Sequence, residues 1–436
     1  MMLSLRIHQQ MLSYSYDLGI FEQVVRSYAE GHLPVSELRG PDYPVLGEHF
    51  SPILALLTPF YMLWPSPMLL LVAQALLIAI SVVPLTFWAR RALGDEAAAF
   101  IGVSYGLSWG IAAAVGFDFH EVAFAAPLLA FSLTALGENR SRTAVFWVLP
   151  LVLIKEDLGL MVAVIGIIIA CRGERKLGFL TIAYGLGATA LEMLVIMPAL
   201  APSDSYFHFS WLSSSGGNGP GDLLYRYTIG LITPQQKITT LLLLLSPTLF
   251  LALRSPLLWV ALPTVLWRFA SNLSSHWDTF GHYSLVLMPI VFAAFIDALR
   301  KRRARKGSVR RYTVGAAAIC LLLLPHFPMW KIIQASTWRT DPRIAVAHSM
   351  MSQIPDGATV QTSNQLGPHL TGRTSVSLLG YFSSRPDPQW IMVDTWVTPD
   401  RRWPLNAFQE RSLLDNARAR GYRTVDAREG FVLLSR

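Results

Sequence analysis

The sequence contains little cysteine and little charge for its length. Only two cysteines, Cys171 and Cys320, occur among 436 residues, and both lie inside apolar runs. They exclude a disulfide framework and provide no zinc-binding spacing. Charged residues make up 15% of the chain, whereas a soluble domain usually carries about 25%. The first sixteen residues also lack the continuous apolar core of a cleavable signal peptide.

Apolar residues are abundant and occur in runs suited to a bilayer. They account for 53% of the chain, and the runs predict an all-α polytopic membrane bundle with about 10 transmembrane helices. The net charge of +8 does not indicate nucleic acid binding, because much of the basic excess lies in short loops, where membrane orientation requires it. The predicted spans are 68–88, 97–115, 122–136, 143–154, 158–171, 177–200, 238–253, 257–269, 284–299 and 312–327.

The chain divides into three predicted regions: an extracytoplasmic segment at 1–65, the helical bundle at 66–330 and an extracytoplasmic α/β domain at 331–436. In the first region, the apolar stretch 50–64 contains two prolines and predicts an interfacial helix, with Tyr61 and Trp64 at headgroup level. In the last region, periodicity predicts strands and one helix. The strands are 358–362, 375–379, 390–393, 422–425 and 430–434, and the helix is 404–420.

Loop charges alternate in kind along the bundle. One set of loops is basic, with Arg90, Arg91, Arg140, Arg142, Arg172, Arg175, Lys176, Arg254 and the run 300–306. The intervening loops carry Asp, Glu and His. The positive-inside rule places the basic set in the cytoplasm, and the acidic turns, Asp17 and the C-terminal domain outside.

The stretch 143–171 has two interpretations. A single helix would put Arg142 and Arg172 on opposite sides and invert every later loop, including the basic run 300–306. We therefore predict two short helices joined by a turn at Lys155. Because they would rise only about 18–21 Å, that turn should be buried in protein or line a wet cavity.

Ionisable side chains cluster on the predicted outer side. Such groups are costly in a membrane and by default suggest function. We expect Asp17 to be the central residue, above a cavity shaped by Glu22, Glu48, His49, Asp118, His120, Glu121, Lys155, Glu156 and Asp157. Buried ion pairs that hold short helices together would explain about half of these residues individually. Packing alone does not explain why they share one side.

Several roles are open for these groups. Asp17 could act as a general base, and a divalent cation such as Mg or Mn could bind Asp17, Asp118, His120 and Glu121, although no metal spacing is strong. Candidate partners of a phosphate are Arg226, Lys237, His276 and His282. The Gly- and Ser-rich loop 201–237 is either a lid or a solvated connector. Asn364 and His369 lie near strand ends and either face the cavity or are ordinary turn residues.

Four ordered blocks resemble a known family of bacterial membrane proteins. They are Tyr16 to Gln23 (YDLGIFEQ), Gly47 to Ile53 (GEHFSPI), Gly116 to Glu121 (GFDFHE) and Leu153 to Asp157 (LIKED). The family is catalogued as domain of unknown function 2079 and is grouped with the GT-C membrane glycosyltransferases, so the resemblance implies a GT-C-like fold over nearly the whole chain. It also implies a polyprenyl-phosphate sugar donor and a base or metal ligand at Asp17.

One departure concerns the first helix. Family members begin with a transmembrane helix before the Asp-bearing loop, and Met1 to Tyr16 is too short and polar to be that helix. We therefore expect a start codon placed too late or a truncated chain. Once that helix is added, the six spans from 68 to 200 would complete a seven-helix module, and the loop 201–237 would fall where GT-C enzymes bind the donor.

The leading hypothesis is an inverting glycosyltransferase of the bacterial cell envelope, multi-pass in the cytoplasmic membrane, with an external C-terminus. It would move a sugar from a polyprenyl-phosphate carrier to an acceptor on the outer face, with Arg226, His276 and His282 at the donor phosphate. One alternative is a transporter or flippase of a lipid-linked precursor, which should show polar groups at cytoplasmic depth and often internal repeats. Another is a non-catalytic scaffold that presents the C-terminal domain.

Overall fold

The computed structural model describes residues 1–201, 220–305 and 307–436. It contains a large helical bundle and one five-stranded sheet near the C-terminus. The described α-helices are Met2–Gln9, Ile20–Ala29, Thr58–Leu63, Pro67–Leu93, Asp95–Gly106, Trp109–Val115, Ala125–Gly137, Ser141–Val148, Gly159–Cys171, Arg175–Leu191, Met197–Leu200, Pro220–Arg226, Gln235–Leu245, Leu262–Ala270, Ser274–Trp277, Leu287–Ala304, Arg310–Leu323, Ala335–Trp338, Arg343–Met351 and Ala407–Ala419.

The first long helix shows how local sequence sets the boundaries of an element. Ser66 caps its N-terminus by accepting a hydrogen bond from the Met68 amide, and Pro67 occupies the first turn, where no amide is required. Gly94 ends the helix with φ 98°, a backbone conformation that glycine adopts readily. The helix Pro67–Leu93 therefore extends past the predicted end of the span, and Arg90 lies in its last turn.

Among the described residues, two helices are long and apolar enough to cross a membrane, Pro67–Leu93 and Arg175–Leu200. The pair Asp95–Gly106 and Trp109–Val115 adds a third span if its bend of 43° is counted within one crossing. The remaining runs form shorter helices, several interrupted by 3-10 turns that begin next to proline. The predicted number of ten crossings stays a prediction.

The prediction of two short helices over 143–171 is confirmed. The structure has Ser141–Val148, continued by a 3-10 turn, and Gly159–Cys171. The Arg172 guanidinium donates to the carbonyl of Leu136, and the Ser141 hydroxyl donates to Glu174. The start of the first helix and the end of the second therefore lie close together. The turn at Lys155 lies at the opposite end of the bundle, as expected.

The two ends of the bundle differ in charge. At one end, Arg91 donates to Glu138 at 2.8 Å, Arg303 donates to the carbonyl of Ala92 at 2.9 Å, and Arg310 pairs with Glu96. These contacts bring the predicted basic loops together; we call this the basic end. The acidic turns, the N-terminal segment and the C-terminal domain meet at the other end, which we call the domain end. Which end faces the cytoplasm stays a prediction.

The strands of the C-terminal sheet are β1 Thr359–Thr362, β2 Ser375–Leu378, β3 Trp390–Asp394, β4 Arg423–Arg428 and β5 Phe431–Ser435. Their order in the sheet is β2-β1-β3-β5-β4. Strands β2, β1 and β3 run parallel, and β5 is antiparallel to both β3 and β4. All five predicted strands are present. The predicted helix begins later, at Ala407, because Asn406 and Gln409 form a capping box.

The N-terminal segment packs into the core of this C-terminal domain. Met11 and Leu38 are buried in one apolar cluster with Met350, Val360 and Leu433. Leu18, Phe21 and Val24 of the same segment lie in the apolar core of the bundle, so the segment packs against both the C-terminal domain and the bundle.

The stretch predicted as an interfacial helix is helical in the structure. It consists of a 3-10 turn at Pro52–Leu57 followed by Thr58–Leu63. Tyr61 is buried, with 3% of its surface exposed, and its hydroxyl donates to Glu22. Tyr61 therefore faces the protein interior, and its level relative to the headgroups stays a prediction.

Candidate active site

A cavity of about 1240 Å³ lies at the domain end of the bundle. Its wall combines the N-terminal segment, the acidic turns of the bundle and residues of the C-terminal domain. Of the predicted site residues, it contains Asp17, Glu48, His49, His120, Glu121, Lys155, Glu156, Asp157, His276 and His282. Side chains separated by more than two hundred residues in sequence therefore share one solvent-accessible space.

Asp17 and His120 form a polar pair in the cavity wall. Asp17 Oδ1 lies 3.1 Å from His120 Nε2, and the side chains are 28% and 6% exposed. The backbone amide of His120 donates to Gln74 Oε1 at 3.1 Å, and Gln74 Nε2 donates to the carbonyl of Asp118 at 3.3 Å. The helix Pro67–Leu93 thereby holds the His120 turn in place beneath Asp17.

The two nitrogens of His120 both face acceptors. Nδ1 lies 3.2 Å from the carbonyl of Asp118, which can only accept, and Nε2 faces the carboxyl group of Asp17. Burial alone would lower the pKa of His120, but the carboxylates of Asp17 and Glu121 reverse this effect and raise it. The two facing acceptors and the raised pKa both favour the protonated form of the His120 ring.

Asp118 is buried behind this pair. Its Oδ2 accepts from the Tyr14 amide at 2.7 Å, and burial raises its pKa to about 7. Asp118 thus holds the backbone at Tyr14, in the loop that carries Asp17, which we call the first loop. Asp118 itself lies outside the cavity lining. The expectation that it shapes the cavity directly was wrong, because its side chain points toward the N-terminal segment.

A second set of pairs lies at the turn between the two short helices. Lys155 Nζ is 3.4 Å from Glu121 Oε1, and Glu156 is 3.2 Å from His49 and accepts from the Phe50 amide at 3.1 Å. Asp157 accepts from the Trp267 indole at 2.7 Å. Within the described parts of the chain, Glu121 Oε2 and Asp157 Oδ1 are buried without hydrogen-bond partners. This region therefore retains unused hydrogen-bonding capacity.

The loop that carries His276 and His282 is held by Arg268. This fully buried guanidinium donates to the carbonyls of His276 and Tyr283, the latter at 3.0 Å. The His282 ring stacks on His120 with centroids 3.4 Å apart. Arg268 therefore positions the loop against the Asp17–His120 pair.

His276 and His282 are neutral imidazoles in this environment. Burial, Lys155 and Arg268 lower the pKa of His276 to about 4, and burial, His120 and Lys155 lower that of His282 well below its usual range. A protonated imidazole that binds phosphate, as the sequence suggested, is not supported at either position. Neutral rings can still donate one N–H each.

The divalent cation stays a prediction, and the described side chains form no preformed site for it. Across 1–201, 220–305 and 307–436, no group of three His, Cys, Asp or Glu residues could hold one. The expected ligands have other partners: Asp17 faces His120, Asp118 faces Tyr14, and Glu121 faces Lys155. The site consequently has no preformed cage for Mg or Mn among the described residues.

Two further predicted residues lie away from the cavity. Glu22 is fully buried and accepts from Tyr61 beneath the C-terminal domain. Arg226 ends the helix Pro220–Arg226 and is 8% exposed, near Lys237, whose ammonium donates to the carbonyls of Gly230 and Phe269. Of the loop 201–237, predicted as a lid or a solvated connector, residues 202–219 lie outside the described part of the chain.

Asn364 and His369 neither face the cavity nor lie in ordinary exposed turns. Asn364 is 5% exposed and bonds to the first loop, and His369 stacks on His8 with ring centroids 4.2 Å apart. Neither residue belongs to the cavity lining as described. Both instead join the C-terminal domain to the N-terminal segment.

Several residues of the cavity wall were not predicted from the sequence. Arg39, Tyr43, Trp267, Tyr283, Tyr381, Phe382 and Ser383 line the cavity. Arg39 pairs with Glu48 and lies over the Tyr16 ring at 5.0 Å. Tyr381 bonds to the Tyr16 hydroxyl at 2.6 Å. A signal existed for Arg39, since it is a basic residue on the predicted acidic side, but the aromatic residues had none.

The fold of this chain resembles that of a membrane protein of known structure. The crystal structure of ArnT from Cupriavidus metallidurans in the apo state matches with a TM-score of 0.58 and 13% identity, over 100% of this chain and 96% of that chain. The same protein bound to undecaprenyl phosphate matches with a TM-score of 0.57 and 12% identity, with the same coverage. At this identity the likeness shows the fold, which is the GT-C-like fold expected from the sequence.

The sequence then defines the family. The model of the family described as "Predicted membrane protein (DUF2079)" matches residues 7–433. The chain belongs to this family. A comparison with curated proteins returned no match.

Proposed function

We propose that this protein is a membrane glycosyltransferase that moves a sugar from a polyprenyl-phosphate donor to an acceptor hydroxyl. The observation that carries the proposal is the cavity at the domain end, where the carboxyl group of Asp17 lies in solvent contact against His120. The fold shared with ArnT supports the same class of reaction. The ArnT structure with undecaprenyl phosphate supports a lipid-linked donor.

The reaction assigns a definite task to Asp17. The acceptor oxygen would attack the anomeric carbon as the bond from that carbon to the phosphate oxygen breaks. The hydroxyl proton would pass to Asp17, and polyprenyl phosphate would leave. Attack from the face opposite the phosphate inverts the anomeric configuration. The contact with His120 would orient the Asp17 carboxyl group before the proton arrives.

Lys155 is the cation best placed for the donor phosphate. Its side chain is 13% exposed in the cavity wall, and its ion pair with Glu121 spans 3.4 Å. A charge-assisted hydrogen bond is usually about 2.7–2.9 Å long, so the ammonium retains capacity for another anion. We therefore assign the donor phosphate to Lys155, with neutral N–H groups of His276 and His282 as further donors, in place of Arg226.

The test separates binding from chemistry. Sugar transfer would be measured in proteoliposomes supplied with radiolabelled lipids extracted from bacterial membranes, and binding with undecaprenyl phosphate as the probe. We expect Asp17→Asn to lower transfer by about 10²–10⁴-fold and to retain binding. We expect Lys155→Gln to weaken binding by about 10–100-fold, the range for losing one hydrogen bond to a charged group.

A matched control is Asp356→Asn, which makes the same chemical change at an 82% exposed side chain of the C-terminal domain. Equal transfer by wild type and Asp17→Asn would remove Asp17 from the reaction. Movement of the labelled lipid between leaflets without transfer would favour the flippase alternative.

A further inference from the structure

Asn364 reaches from the C-terminal domain to the loop that carries Asp17. It follows strand β1, Thr359–Thr362, at the carboxyl edge of the parallel part of the sheet. Its side-chain Oδ1 accepts from the Tyr16 amide at 3.1 Å. Its carbonyl accepts from the Ser15 amide and the Ser15 hydroxyl, both at 2.7 Å. Three hydrogen bonds therefore join one domain residue to the two residues that precede Asp17.

The bundle holds the same backbone from the other side. Asp118 Oδ2 accepts from the Tyr14 amide at 2.7 Å. The amides of Tyr14, Ser15 and Tyr16 are thus each bound by a residue distant in sequence. Tyr16 interrupts its helical turn with φ −86° and ψ 54°, so its amide is held by this external contact to Asn364.

The packing leaves little room for another arrangement. A Cβ atom at Gly367, three residues beyond Asn364, would lie 2.0 Å from the Ser15 hydroxyl. The Tyr16 and Tyr381 hydroxyls also bond to each other at 2.6 Å. The position of the first loop therefore depends on where the C-terminal domain sits.

We propose that Asn364 is a positioning residue for Asp17, and that the C-terminal domain is thereby a functional part of the active site. The proposal rests on the proposed transferase activity. If the Oδ1 acceptor is lost, the Tyr16 amide loses its partner and the Asp17 carboxylate can move away from His120. A misplacement of about 1 Å can slow an enzyme about 100-fold. The effect should fall on the chemical step, because Asn364 does not touch the cavity.

The experiment compares three variants in the full-length protein. Asn364→Leu removes the acceptor and should lower kcat about 10–100-fold, with an unchanged KM for the lipid donor. Asn364→Asp keeps an acceptor oxygen and should restore kcat to within about tenfold of wild type. Gln365→Leu is the matched control, because Gln365 is also buried, at 6% exposure, but bonds inside the domain to the carbonyl of Arg401 at 2.7 Å.

A second measurement does not depend on activity. Hydrogen exchange, followed by mass spectrometry, would be measured on peptides that cover residues 14–18. Asn364→Leu should speed exchange there, and Gln365→Leu should not. Unchanged exchange in Asn364→Leu would overturn the proposal, as would equal losses of kcat in Asn364→Leu and Gln365→Leu.

A double variant shows whether Asn364 acts through Asp17. Asp17→Asn combined with Asn364→Leu should transfer sugar no more slowly than Asp17→Asn alone, whereas a further loss in proportion to the Asn364→Leu effect would contradict the proposal. If wild-type protein transfers no sugar, the proposed function fails, and the exchange measurement then decides whether Asn364 holds the first loop.

Discussion

The basic end and the domain end of the bundle use charge in different ways. At the basic end, pairs such as Arg90–Asp95 and Arg310–Glu96 have side chains 58–80% exposed. At the domain end, Lys155 and Glu121 are 13% and 3% exposed, and Glu156 is 4% exposed. Exposed pairs contribute little to stability, whereas buried charges carry a desolvation penalty of several kcal/mol. Burial is not confined to the domain end, since Asp297 at the basic end is 1% exposed, but its partners Arg300 and Lys301 are 40% and 46% exposed. The Lys155–Glu121 pair instead has both members largely buried, an energetic disadvantage of the kind that functional sites carry.

The largest expected effect is all-or-none: it is the labelling of introduced cysteines, which shows on which side of the membrane each residue lies. Asp42→Cys and Asp356→Cys, at side chains 87% and 82% exposed, should react with an impermeant maleimide added to intact cells. Arg90→Cys, at the basic end, should not react, because the positive-inside rule places it in the cytoplasm. A Cys171→Ser background removes the exposed native thiol. Labelling of positions 42 and 356 from opposite sides would rule out a common compartment.

The next effect is on stability at the domain end. Glu121→Leu leaves Lys155 buried without its carboxylate and should destabilise the protein by about 3–5 kcal/mol. The double variant Glu121→Leu/Lys155→Met removes both charges and should recover most of that loss. Chemical unfolding in detergent would measure both. A double variant no more stable than Glu121→Leu would show that the pair does not act as a unit.

A smaller effect is expected in the pH dependence of transfer. The pKa of His120 is raised, so its imidazolium persists above the usual value of about 6.5, and its support of Asp17 disappears as pH rises through the raised pKa. Wild-type transfer should therefore fall on the alkaline side. His120→Gln should be about 10–100-fold slower at neutral pH, as expected for losing a charged hydrogen bond, and should lack that alkaline fall. An unchanged alkaline limb in His120→Gln would exclude His120 as its source.

The smallest effect belongs to the basic end. Arg310→Gln removes an ion pair whose side chains are 76% and 58% exposed. Because solvent already screens that pair, we expect no measurable change in unfolding or in transfer. A clear loss of transfer would mean that the two ends are coupled, which would weaken the contrast between them.

Much of the fold was predictable from local patterns. The two short helices at 141–171 followed from the positions of Arg142 and Arg172, since charge and membrane sidedness constrain each other. The five strands of the C-terminal domain followed from alternation and turn residues. The lengths of several membrane helices were not predictable, because proline-initiated 3-10 turns replace regular helix in runs that remain apolar throughout.

The candidate site was predictable in composition and not in its contacts. The blocks that contain Asp17, His120 and Lys155 stand out because charges beside apolar runs are rare. The partners of Asp118 and Glu22 could not be read from sequence, and both side chains turned away from the cavity. Tyr381 and Trp267 gave no signal, since an aromatic residue beside a cavity looks the same in sequence as one in a core.

That acidic and imidazole groups gather at one end of an apolar bundle follows from the amino-acid sequence alone, because burial and membrane orientation act on each segment locally. Which of these groups contact each other depends on the tertiary structure. Asp17 and His120 are 103 residues apart, and Tyr16 and Asn364 are 348 apart. Contacts over such distances depend on how whole helices and the C-terminal domain pack, and hydrogen-bond geometry at the site is set only after that packing is complete.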